Sequence, residues 1–216
     1  MSDTIKRAWL ITPHAPTKLA LSYDSITSKD LIIAVDGGFE RCLELNLKPS
    51  VLIGDFDSLR WPLLDKAPTD CQKITYPSQK NETDTQLALQ YCLEQGIQEI
   101  YICNDLNGRF DHALALVQNL LQAHQSGAKA TIVSAHQLVY IIDNKASLNY
   151  PVNSIISLIS LSEKTEFSAS QGLQYPLHDI TLFNNQSRGI SNMVTEPLQE
   201  IQIKSGLALI IVTFQL

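Results

Sequence analysis

The rhythm of apolar residues changes once along this chain, and that change constrains the fold more than any motif does. Through about residue 130, short apolar runs alternate with helical patterns. Ala8 to Thr12, Leu31 to Val35, Val51 to Ile53, Ile74 to Tyr76, Ile100 to Cys103 and Thr131 to Val133 read as strands. Phe39 to Leu45 reads as a helix. Leu87, Ala88, Tyr91 and Cys92 share one helical face, and Leu114, Val117, Leu120 and Leu121 share another. Strand and helix in alternation imply a parallel sheet covered by helices on both faces. After about residue 137 only extended patterns remain, near 137–143, 154–161, 165–170, 179–183, 198–204 and 207–214. These are rich in Ile, Val, Thr and Phe, and Lys204-Ser205-Gly206 reads as a hairpin turn between the last two. The expected architecture is an α/β domain over 1–136 followed by an antiparallel β-sandwich or small barrel over 137–216.

An open parallel sheet binds its ligands beyond the carboxyl ends of its strands. The polar residues at those ends are therefore the informative ones. The second strand runs into Asp36-Gly37-Gly38, and the third into Gly54-Asp55-Phe56-Asp57-Ser58. Thr83-Asp84 opens the helix after the fourth, and the strand at 100–103 leads to Gly108-Arg109-Phe110-Asp111-His112. Each cluster has an ordinary structural explanation. Asp36 can open a turn, Thr83 with Gln86 matches a capping box, and Asp111 can cap the helix it precedes. Together, four acidic strand ends on one rim repel one another unless a cation binds there. In an extended segment Asp55 and Asp57 point the same way, with Phe56 turned to the other face as an anchor in the core. Two hard oxygen ligands on one side suit Mg²⁺. Arg109, before a helix N-terminus, suits phosphate, and Lys80 can serve likewise. Carboxylates for a metal and Arg for phosphate are the equipment of phosphoryl transfer. His112 reads as a first-turn helix residue rather than a base, and His14, His124, His136 and His178 show no constellation.

Composition narrows the classes further. A net charge of −6 over 216 residues argues against nucleic acid as a partner. No apolar run is long enough to span a bilayer. Four cysteines without a C-x-x-C pair read as buried thiols of a reducing cytoplasm.

In their order, Val35-Asp36-Gly37-Gly38, Gly54-Asp55-Phe56-Asp57-Ser58, Lys80-Asn81-Glu82-Thr83-Asp84 and Asn107-Gly108-Arg109-Phe110-Asp111-His112 resemble the thiamine pyrophosphokinase family. Gly172 to Leu177 and Gly189 to Asn192 are similar to that family's C-terminal signatures. The resemblance implies an α/β fold: a Rossmann-like parallel-sheet domain for ATP and Mg²⁺, then a β-sandwich domain for thiamine and dimerisation. It implies a homodimeric, cytoplasmic ATP:thiamine pyrophosphotransferase. By motif match Asp55, Asp57 and Asp84 hold Mg²⁺ and, with Arg109 and Asp111, serve catalysis. Asp36, Gly37, Gly38, Lys80, Thr83, Arg109 and His112 bind ATP, and Tyr175, Ser191 and Asn192 lie near thiamine. Three alternatives stay open at this point: a pyrophosphokinase for another alcohol, such as a hydroxymethylpterin, a metal-dependent phosphohydrolase, and a non-catalytic nucleotide or thiamine sensor that keeps the pocket.

Overall fold

A computed structural model describes residues 7–56 and 65–214. The chain divides into two compact units, Met1–Ala135 and His136–Leu216.

The first unit is built on six strands: β1 (Arg7–Ile11), β2 (Leu31–Val35), β3 (Val51–Gly54), β4 (Gln72–Thr75), β5 (Glu99–Cys103) and β6 (Lys129–Val133). Their order is β6-β5-β1-β2-β3-β4, and every neighbouring pair is parallel. Ala8 of β1 pairs with Leu31 on one side and Ile100 on the other, which makes β1 the centre of the sheet. Ala8, Trp9, Leu10 and Ile11 are all fully buried, as is the whole of β3. Side chains alternate between the faces of a strand, so an unbroken buried run means that both faces are covered. The helices α1 (Gly38–Glu44), α2 (Asp84–Glu94) and α3 (Phe110–Gln125) supply that cover. Thr83 accepts the Gln86 N–H at 3.2 Å and so starts α2 as its capping sequence predicts. Gly38 packs so closely on β1 that a Cβ there would overlap the Ile11 carbonyl oxygen. At the far end β4 is mostly exposed and is the free edge among the described strands.

The second unit is a sandwich of two antiparallel sheets. One takes β7 (Gln137–Ile142), β9 (Ile155–Ser160), β12 (Asn192–Met193) and β14 (Ala208–Thr213) in the order β12-β9-β14-β7. The other takes β8 (Lys145–Leu148), β10 (Lys164–Gln171), β11 (Ile180–Phe183) and β13 (Gln199–Ser205) in the order β11-β10-β13-β8. Ala208, Ile210 and Val212 on β14, Ile156 and Leu158 on β9, and Phe167, Ile201 and Leu182 from the other sheet make its core. The Ser160 and Thr165 hydroxyls, 2.7 Å apart, link the sheets where the chain passes between them.

One sequence expectation fails here. Lys204-Ser205-Gly206 is not a hairpin: β13 pairs with β10 and β8, whereas β14 pairs with β7 and β9 in the opposite sheet. Gly206 has a φ of +90°, and a Cβ there would overlap the Lys164 carbonyl oxygen. The turn chemistry reads correctly, but it serves a crossing between sheets.

Candidate active site

The strand order reverses at β1, with β2 on one side and β5 on the other. That reversal opens a crevice beyond the carboxyl ends of these strands. A cavity of about 490 Å³ lies there. The loops leaving the strands form its wall: Thr12, Pro13 and His14 after β1, Asp36 after β2, and residues from Asn104 to Arg109 after β5. Thr83 and Asp84 at the start of α2 and residues between His112 and Asn119 on α3 complete it.

Of the residues expected at the site, Asp36, Thr83, Asp84, Arg109 and His112 meet on this wall. Gly37, Gly38, Asp55, Lys80 and Asp111 are not among the described wall residues. Asp55 and Lys80 join it through an ion-pair chain. The Lys80 ammonium lies 2.8 Å from Asp84 and 4.0 Å from Asp55, with all three side chains partly buried. Asp111 joins through Arg109, whose Nε and a terminal nitrogen donate to its carboxylate at 3.1 and 2.5 Å. The hydrogen bond from Arg109 holds the Asp111 carboxyl below the usual carboxylate range, and the same bond raises the Arg109 guanidinium. Asp111 is not the N-cap of α3. That position belongs to Arg109, and Asp111 sits in the first turn. Asp57 lies outside the described residues.

The extended geometry expected around Asp55 does not hold. Phe56 has a φ of +58°, in the left-handed region, and is only half-buried, so it is no core anchor. Asp36 and Leu106, in the loops after β2 and β5, also have positive φ, at 46° and 53°. Non-glycine residues held this way cost energy and gather at functional sites. Three loops of one rim share the feature.

Sequence reasoning passed over Thr12, His14, Asn104 and Asn119. Thr12 and Asn104 are buried and knit the loops together. Asn104 donates to the Thr12 hydroxyl at 3.0 Å, and the hydroxyl donates to the Cys103 carbonyl at 2.8 Å. The Asn104 side-chain oxygen accepts from Leu106 N–H at 2.9 Å, which sets the turn that delivers Arg109. Asp105 accepts from Asn107 and from the Ala135 N–H, both at 3.1 Å. The signal available for Thr12 and Asn104 was their place directly after strands.

In the second unit Tyr175 and Asn192 are brought together. The buried Asn192 amide accepts the Tyr175 N–H at 2.9 Å and donates to its carbonyl at 2.7 Å, while the Tyr175 residue is exposed. Ser191, at a φ of +59°, donates its N–H to the Ser157 hydroxyl at 3.0 Å.

Residues 23–132 match the family model described as thiamin pyrophosphokinase, catalytic domain. The chain is 27% identical over 192 residues to the thiamine pyrophosphokinase of Bacillus subtilis (strain 168), covering 84% of this chain and 86% of that protein. It is 25% identical over 191 residues to thiamin pyrophosphokinase 1 of Caenorhabditis elegans, covering 82% and 76%. The crystal structure of a thiamine pyrophosphokinase from Bacillus subtilis superposes with a TM-score of 0.86 at 22% identity, over 98% of this chain and 100% of that one, a likeness of fold. The family match covers more than half of the sequence and contains every strand-end carboxylate of the rim, and the chain therefore belongs to the thiamin pyrophosphokinase family.

Proposed function

We propose that the chain transfers the terminal pyrophosphoryl group of ATP to the primary hydroxyl of thiamine, giving thiamine diphosphate and AMP. Family membership supports the activity. The observation that carries the site assignment is the switch-point cavity whose wall joins Asp36, Asp84 and Arg109.

The donor set suits Mg²⁺. One ammonium, that of Lys80, reaches both Asp55 and Asp84, so these two carboxylates converge on a space that accepts positive charge. Mg²⁺ is commonly held by one or two carboxylates together with water and substrate phosphates. Asp55 and Asp84 are the residues that would hold it, with Asp57 next in sequence. When bound, the metal neutralises charge on the phosphate oxygens.

The thiamine hydroxyl oxygen forms a bond to the β-phosphorus, and the bond from that phosphorus to the α–β bridging oxygen breaks. AMP leaves with the bridging oxygen, and the hydroxyl proton is released to water. Phosphoryl transfer passes through a loose transition state, so positioning matters more than strong base catalysis. Asp111 is held to the Arg109 guanidinium by two hydrogen bonds. It serves to aim the guanidinium, whose fork matches phosphate oxygens. On this reading the first unit takes ATP. The second takes thiamine near Tyr175, Ser191 and Asn192, a reading supported by an exposed aromatic residue that suits the cationic thiazolium.

A homodimer completes the reading. Phe110 and Leu114 stand one turn apart on α3 beside Arg109, 75% and 49% exposed, an apolar pair that a second copy would cover. Among the described residues no helix is long and apolar enough to cross a membrane. The four unbridged thiols fit a cytoplasmic enzyme.

Product analysis tests the reaction. Purified protein with Mg-ATP is expected to form AMP and thiamine diphosphate together, only when thiamine is present. Inorganic phosphate released regardless of thiamine would overturn the assignment.

A further inference from the structure

The α3 helix carries an amide donor that the fold leaves unused. Asn119 sits on the buried stripe of Leu116, Leu120 and Ala123 and is 5% exposed. Its Nδ2 is buried and has no hydrogen-bond partner among the described residues. Burying an amide without a partner is unfavourable, and an apolar side chain of the same size would serve stability better. The position therefore answers to something other than packing.

Asn119 stands where two hollows meet. It lines the 490 Å³ cavity and also an adjoining groove of about 510 Å³, and the two share Thr83 and Ala115. The remaining polar walls of the groove are the amides of Gln86, Gln118, Gln122 and Gln125, with no charged residue among them. The charged groups of the cavity, Asp36, Asp84 and Arg109, belong to its other walls. A ligand spanning both hollows carries its charge at one end and a neutral, polar body at the other. A nucleoside triphosphate has that form.

We propose that Asn119 is a specificity-determining residue that reads the nucleobase edge of the nucleoside triphosphate, with the glutamine-lined groove receiving the base. This rests on the reading of the cavity as the site of the phosphate donor. An amide offers a donor and an acceptor side by side, and an adenine edge offers a ring nitrogen beside an exocyclic amine. The pair is complementary in both hydrogen bonds. Guanine presents two acceptors, O6 and N7, on the same edge and leaves the amide oxygen facing another oxygen. Adenine is thus the base that the site selects.

The test is calorimetric binding of ATP, GTP and inorganic tripolyphosphate, each with Mg²⁺, to the full chain and to Asn119→Leu and Asn119→Asp. The unsubstituted protein is expected to bind ATP more tightly than GTP. Asn119→Leu should cut the ATP-to-GTP affinity ratio by roughly ten-fold or more, because an unmatched polar contact is lost. It should leave tripolyphosphate affinity unchanged and hold or raise the melting temperature. Asn119→Asp, which keeps the shape and loses the donor, should lower ATP affinity in the same way and gives a reading if the leucine variant does not fold. An unchanged ratio in both variants, or a loss shared equally by tripolyphosphate, overturns the proposal. The measurement needs no thiamine. Selective ATP binding without thiamine-dependent AMP would overturn the reaction and leave the base reading standing. AMP formation with an unchanged ratio in the variants would do the reverse.

Discussion

Asn192 holds Tyr175 at both backbone polar groups, accepting from its N–H at 2.9 Å and donating to its carbonyl at 2.7 Å. A buried amide used up in this way fixes the segment that carries an exposed aromatic residue. Asn192→Ala leaves both Tyr175 groups unpaired, at a cost of about 1–3 kcal/mol. The expected kinetic signature is a raised KM for thiamine with the KM for ATP unchanged. Steady-state kinetics together with urea unfolding check both halves.

The Lys80 ammonium joins Asp55 and Asp84, so Lys80→Met should disorder the carboxylate pair that faces the phosphates. We expect kcat/KM for ATP to fall roughly 10- to 100-fold, which corresponds to about 1.4–2.7 kcal/mol of transition-state stabilisation. Stability should change by no more than about 1 kcal/mol, since the pairs are only partly buried. A melting curve alongside the kinetics separates the two effects.

Asp55→Asn and Asp84→Asn each remove one charged oxygen ligand and keep the shape of the side chain. Turnover should drop by at least about 100-fold, and the Mg²⁺ concentration giving half-maximal rate should rise. Chelation of divalent cations should abolish turnover of the unsubstituted protein, with recovery on adding Mg²⁺ back. A metal titration of the rate distinguishes these variants from a simple loss of fold.

Gly38→Ala forces a methyl group into the Ile11 carbonyl oxygen, a rigid neighbour in the central strand. The cost should be about 3 kcal/mol, at the upper end for overpacking. A lowered urea midpoint with an unchanged slope is the expected result.

Burial pushes the Cys42 and Cys92 thiols up to about 12 and Cys71 to about 11, from an ordinary 9.0. Above pH 9 the unfolded chain gives up these protons while the folded chain keeps them. The unfolded state then binds fewer protons, so stability is unaffected below pH 9 and declines as pH rises from 9 towards 12. Melting temperature against pH reads this directly. Thiol reagents near pH 8 should label the buried Cys42, Cys92 and Cys103 slowly in the native protein and rapidly in the unfolded one; Cys71 is half-buried, unlike the four buried thiols expected from the sequence, and should react faster than these three.

Much of this molecule was legible because its signals are local. The apolar run of β2 and the Thr83 cap of α2 depend on neighbours a few residues away, and both stand where the sequence placed them. Strands β8 and β12 were missed because Lys-Ala-Ser-Leu and Asn-Met hold too few apolar residues for a pattern to show. The Gly206 turn was read correctly as a turn, but no local signal says which sheet the next strand will join. The rim carboxylates were visible as strand-end clusters. The positive φ of Phe56 was not, since a bulky residue gives no hint of left-handed backbone. Asn119 left one trace, an amide within the stripe Leu116, Leu120 and Ala123, which becomes informative only when a cavity is seen beside it.

The exposed strand β4 closes the order of the parallel sheet and leaves one row of its backbone groups unpaired by any described strand. Such a row is a template on which another chain can add a strand. Here the strand is four residues long and reads Gln-Lys-Ile-Thr, with Lys73 exposed at its middle. Its brevity and charge work against edge-to-edge stacking of molecules. Replacing Lys73 with an apolar β-branched residue would leave the fold intact and remove a safeguard against aggregation.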